Sequence, residues 1–208
     1  MPIAVITGDL VKSTALPEAR VSDAFHALTS AADQISRWQE PPTPTSFSRN
    51  RGDGWQIFLA DSRLALRAAL FLRATLRSRG KDLATRMAVG IAEGPPPGTS
   101  DLNLATGPAF VAAGHALDTM KPPVELQVVS DDRALEAVFR LADHLSRNWT
   151  QKQAAALVPM LAPWGATQQT VAEQRRVTRQ AVGQALRGAG YDAIHDVLRL
   201  IEGSGTGK

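Results

Sequence analysis

The sequence predicts an α+β fold: a βαββαβ sheet extended by one further αβ pair, followed by an all-α C-terminal unit. Three observations carry this. An apolar run at residues 3–6 and strand-like runs at 55–59 and 85–93 occur between turn residues. Between the first two, Val21, Phe25, Leu28, Ala32, Ile35 and Trp38 recur at helical spacing and form one stripe able to cover a sheet. Beyond Asp131 the apolar pattern is helical to Ile201.

In chain order, the first strand ends at Asp9, and residues 10–16 form a polar turn containing Ser13 and Thr14. Pro17 suits the first position of the helix that follows, and the three prolines of residues 40–44 end it. The stretch SFSRNRGDGWQIFLAD, residues 46–61, reads as a tight hairpin with Asp53 at its tip. A right-handed crossover between the first strand and this hairpin makes the first two strands run the same way, so Asp9 and Asp53 meet.

Asp61 or Ser62 caps a second helix running to about Arg79, with Leu64, Ala68, Phe71, Leu72 and Thr75 inward. Residues 85–93 form a strand in which Gly90 implies close approach by another backbone or a ligand. A proline-rich loop at 94–98 leads through Gly107 to a helix at 111–120, and after Pro122 and Pro123 comes a last strand at 124–130. Together these make a ferredoxin-like sheet covered by helices.

The chain has 208 residues, of which 44% are hydrophobic, enough for one large or two small domains. It contains no cysteine, which excludes disulfides and thiolate zinc sites and suits the cytoplasm. No segment approaches the roughly 20 apolar residues of a membrane span. Residues 1–146 carry 15 Lys or Arg against 16 Asp or Glu, whereas residues 147–208 carry 8 against 4. The basic excess is therefore C-terminal, where it suits a phosphate backbone.

The stretches ITGDLVKST around Asp9, RGDGWQIF around Asp53 and TRMAVGIAEG at residues 85–94 resemble class III nucleotidyl cyclases and their SatD-like bacterial relatives over roughly residues 2–130. Taken singly, Asp9 can be a cap and Asp53 a turn residue. The resemblance implies that both hold Mg²⁺ or Mn²⁺ on a nucleotide, and Lys12, Arg49, Arg51, Asp53, Gly107 and His115 are the candidate nucleotide-binding residues, His115 read first as a helix-surface residue. Arg49 and Arg51 alternate along the strand, so they are expected on one sheet face beside Asp53, receiving phosphates or neutralising the two aspartates. Aligning Gly107 with the family's glycine puts Val111 and His115 where the family has an Asn and an Arg. Valine has no donor and neutral histidine is a poor substitute for a guanidinium, so no catalytic residues are assigned.

Residues 167–190, TQQTVAEQRRVTRQAVGQALRGAG, resemble a helix-turn-helix: Val171, Val177, Val182 and Leu186 are expected in a shared core and Ala172 at the crossing. Thr178 caps the second helix, so Arg179, Gln180 and Gln184 face bases, while Lys152, Arg175 and Arg187 face phosphates. Arg176 stands where glycine often makes the turn, which puts a left-handed backbone there in question. A plain helical hairpin is the alternative.

The domain division is 1–130 for the nucleotide-sensing sheet, 131–147 for a connecting helix, and 148–208 for the DNA-binding unit with a disordered tail. The expected protein is a homodimeric transcription regulator that binds double-stranded DNA under control of a nucleotide or cyclic nucleotide. The alternatives are an active cyclase carrying the same DNA-binding unit and a phosphate-binding interaction module.

Overall fold

A computed structural model describes residues 2–39, 47–50 and 52–203. Ser46, Arg51, the prolines at 41, 42 and 44, and the tail beyond Gly203 lie outside the described residues.

The chain forms a mixed α+β structure with one five-stranded sheet and eight α-helices among the described residues. The elements are β1 (Pro2–Leu10), α1 (Glu18–Ser36), β2 (Phe47–Arg49), β3 (Gly54–Leu59), α2 (Ala65–Arg79), β4 (Thr85–Glu93), α3 (Pro108–Thr119) and β5 (Leu126–Val129). They are followed by α4 (Arg133–Arg147), α5 (Gln151–Met160), α6 (Gln168–Arg175), α7 (Arg179–Gly188) and α8 (Tyr191–Ile201). Strand order is β2-β3-β1-β4-β5. Because β3 lies antiparallel between β2 and β1, those two run the same way, and the β2–β3 turn lands at the C-terminal end of β1.

Strand alternation divides the core. Ala4, Ile6 and Leu10 of β1 face α1 and α2, whereas Ile3 and Val5 face Phe58, Leu102, Ala109 and Ala113 on the α3 side. The expected approach at Gly90 is that of α3: a Cβ there would stand 2.1 Å from the Ala109 carbonyl oxygen and 2.8 Å from the Ala113 nitrogen. Both obstacles are backbone and cannot rotate away. Gly90→Ala is therefore expected to destabilise the fold by about 1–3 kcal/mol in chemical denaturation, and a loss within experimental error would mean that α3 slides freely.

Several boundaries differ from expectation. α3 begins at Pro108, three residues early, because proline at the first helical position loses no needed hydrogen bond. α1 stops at Ser36, and Trp38 instead packs edge-on against Phe71 with ring centroids 4.9 Å apart. α5 starts at Gln151 behind a Thr150–Gln153 capping box, while Trp149 is buried and its indole donates to the Ala189 carbonyl at 2.9 Å. Pro159 falls in the last turn of α5, where the helix ends.

The largest departure is α2, which is expected to bury one face. Residues 65–74 and Leu76 are all buried, Arg67 and Arg73 among them. The sheet and α1 cover one side of this helix, and α4 and α5 cover the rest. Arg67 forms a bidentate pair with Glu202, at 2.6 and 2.7 Å, and donates to the Leu161 carbonyl at 2.8 Å. One continuous apolar core accordingly runs from Ala4 in the sheet to Leu198 in α8.

At the C-terminal end, α6 and α7 are joined by residues 176–178, with Thr167 and Thr178 accepting from the Thr170 and Ala181 amides at 3.1 Å. Arg176 adopts the left-handed conformation (φ 54°, ψ 45°) without being glycine. Val171, Ala172, Val182 and Leu186 are buried as expected. Val177 is not: it is 47% exposed, because the reversal at Arg176 turns it into a groove between α5 and α7 instead of the core. No helix of the described residues is long and apolar enough to cross a membrane.

Candidate functional site

The C-terminal end of β1 gathers charge because two partner strands bring it there. Asp9 lies opposite Gly54 of β3 on one side and opposite Arg86 of β4 on the other. The Leu10 amide donates to the Asp53 carbonyl at 3.3 Å, so the hairpin tip is tied directly to the end of β1. Lys12 then takes a left-handed conformation (φ 55°) that returns the chain toward the tip, where the Ser13 hydroxyl donates to the Asp53 carboxylate. Lys12 itself is exposed. Asp9, Asp53 and Lys12 thus meet around one corner of the sheet.

Sequence reasoning missed Arg86. Directly opposed residues in an antiparallel pair project to the same face, so Asp9 and Arg86 are forced together on the α3 side. The Arg86 Nε donates to Asp9 Oδ1 at 2.9 Å and Nη2 donates to Oδ2, which engages both carboxylate oxygens. The hydrogen bonds it donates to Asp9, reinforced by the fields of Asp9, Asp53 and Asp118, raise the Arg86 guanidinium above its ordinary value despite partial burial. A polar layer behind the pair fixes it. The Trp55 indole donates to Thr85 Oγ1 at 3.1 Å, and that hydroxyl donates to the Asp9 carbonyl at 2.7 Å. Gly8 leaves the room Trp55 needs, since a Cβ would stand 2.6 Å from its ring.

The other candidates are distributed differently. Arg49 pairs with Trp55 across the hairpin and so lies on the α1 face, its guanidinium 4.0 Å from the centroid of the Phe25 ring. This differs from the expected position on the face of the aspartates. From there it donates to the Gly52 carbonyl at 3.1 Å and braces the turn carrying Asp53. Arg51 lies outside the described residues. Gly107 (φ 145°) precedes α3 and lines a cavity of about 420 Å³ with Ile3 and residues 94–99, at the opposite end of β1 from Asp9. Val111 and His115 are exposed on α3. Within one chain, then, Gly107 and the aspartates occupy opposite ends of the sheet.

The divalent ion that the resemblance implies meets a donor set that does not fit it. Both Asp9 oxygens are engaged by Arg86, and one Asp53 oxygen by Ser13. Among the described residues no cluster of three or more His, Asp or Glu side chains gathers around a common point.

The second candidate surface is α7. Thr178 spends its side chain on the cap, while Arg179, Gln180, Gln184 and Arg187 are exposed. Lys152 of α5 and Arg175 of α6 are also exposed and line, with Val177, Ala181 and Gln184, a groove of about 600 Å³. Among the described residues, none of Lys152, Arg175, Arg176, Arg179 and Arg187 forms an ion pair with a carboxylate.

No known sequence family and no curated protein matches the chain. Among solved structures, the crystal structure of the guanylyl cyclase Cya2 aligns with 69% of this chain and 78% of its own, at 14% identity and a TM-score of 0.44. A likeness of that size fixes neither a family nor an activity.

Proposed function

We propose that this chain is a cytoplasmic, homodimeric regulator of transcription. Residues 148–208 bind double-stranded DNA through a helix-turn-helix, residues 131–147 connect, and residues 1–130 take a nucleotide or cyclic nucleotide as effector without cyclising it. The observation that supports the reading most is the exposed face of α7. A helix capped by Thr178 holds Val182 and Leu186 in the core while presenting Arg179, Gln180, Gln184 and Arg187 outward, beside unpaired cations on α5 and α6. Such a face offers forked and amide donors for base edges and point charges for phosphates. A dimer would set two such helices about 34 Å apart, one turn of duplex.

The effector half of the proposal rests on the corner where Asp9, Asp53 and Lys12 meet. Cyclisation needs fixed donors for the developing charge, and Val111 offers none. Calorimetry against ATP, GTP and cyclic mono- and dinucleotides is expected to give stoichiometric binding of one class. Incubation with ATP or GTP and Mg²⁺ or Mn²⁺ is expected to give no cyclic product. Cyclic product that disappears in an Asp53→Ala variant would replace the sensor by an active cyclase.

A further inference from the structure

We infer that Arg86 is the resident cation of the sheet corner, standing where the cyclase resemblance calls for a divalent metal. The strand register makes this a built feature: Asp9 faces Arg86 across β1 and β4, and the fork of the guanidinium matches both carboxylate oxygens. Trp55, Thr85 and Gly8 hold the backbone of both residues in place. The pair is partly shielded, with the Asp9 side chain 22% and the Arg86 side chain 37% exposed, so water competes for it less than at a fully exposed pair.

A metal entering here must displace a fixed unit charge from Asp9 and then sit beside it. Asp53 adds a single further carboxylate, already accepting from Ser13. The corner is therefore metal-independent, and any nucleotide that docks against Lys12 and Arg86 does so without a bridging divalent ion. The assignment of Arg86 stands whether or not the C-terminal helices read DNA and whether or not a nucleotide binds.

The test is Mn²⁺ binding to the full chain, read by electron paramagnetic resonance without nucleotide, so that activity plays no part. The parent is expected to leave Mn²⁺ free. Arg86→Gln keeps a polar side chain but removes the charge, and it is expected to tighten Mn²⁺ binding about tenfold or more, since a cation a few ångströms away no longer repels the ion. Adding Asp9→Asn to that variant is expected to abolish the gain. Stoichiometric Mn²⁺ binding by the parent that is lost in Asp9→Asn alone would overturn the assignment, as would an Arg86→Gln variant, folded by circular dichroism, with no gain. Arg86→Ala supplies a second charge-removing variant should Arg86→Gln fold poorly.

Discussion

Replacing Asp143 by alanine is expected to cost about 3–5 kcal/mol of stability, the penalty of leaving a buried charge without its partner. The cause lies between α2 and α4. Arg73 is 5% exposed and Asp143 2%, and the guanidinium donates to the carboxylate at 3.0 Å and to Ser146 Oγ at 2.5 Å. Burial pulls the Arg73 guanidinium below its ordinary value, against the opposing pull of Asp143 and Glu125. Its Nε and Nη2 already lack hydrogen-bond partners. Asp143 also stands 3.3 Å from Arg147, so its loss leaves two cations with Glu125, 4.0 Å from Arg73, as the carboxylate that remains beside them.

Thermal denaturation of Asp143→Ala should therefore show a midpoint lowered by about 6–20 °C. The double substitution Arg73→Met with Asp143→Leu should recover most of the loss, because a packed apolar pair incurs no desolvation cost. A single variant within about 1 kcal/mol of the parent would mean that Arg73 reaches solvent.

The second large effect is expected on DNA. Arg179→Ala and Gln180→Ala should each weaken binding to a preferred site by about 1–3 kcal/mol and barely change binding to random duplex. Both side chains are exposed, so neither substitution should alter the melting temperature. Loss of Lys152, Arg175 or Arg187 should instead weaken specific and non-specific binding alike. It should also flatten the salt dependence by about one unit of slope per contact in each half-site. Equal affinities for the parent and an Arg179→Ala, Gln180→Ala double variant would make this face an ordinary solvated surface.

What the sequence made legible follows from local rules. The β4 strand, Thr85 to Glu93, was legible from its short apolar stretch at residues 87–92, and the meeting of Asp9 and Asp53 came from crossover handedness applied to a hairpin with its tip at Gly-Asp-Gly. The close approach at Gly90 was signalled by a glycine inside a strand.

What stayed illegible depends on partners far along the chain. Arg86 meets Asp9 across 77 positions, and only the β1–β4 register shows that they are opposed. Arg49 needed the Trp55 pairing to fix its face, since a three-residue strand carries too little pattern to reveal its own orientation. The inward face read for α2, Leu64, Ala68, Phe71, Leu72 and Thr75, did not include Arg67 and Arg73, which are buried as well. Helices that begin 60 or more residues later cover them, and they contribute the compensating Asp143 and the Glu202 that follows α8. Arg176 and Val177 mark a different limit. A left-handed arginine is held by its neighbours, through the Val177 amide donating to the Ala172 carbonyl at 3.0 Å, and propensity alone does not foresee it.

The central claim is that the chain reads DNA under control of a nucleotide. Fluorescence-anisotropy titration of the full chain against duplexes selected from a randomised pool tests it most directly, run at two salt concentrations with and without the nucleotide that calorimetry identifies. The expected result is saturable binding that weakens steeply at the higher salt and shifts about 5- to 150-fold when the nucleotide is added. Selection that enriches no sequence, with affinity no better than for random duplex at the lower salt in either nucleotide state, would contradict it.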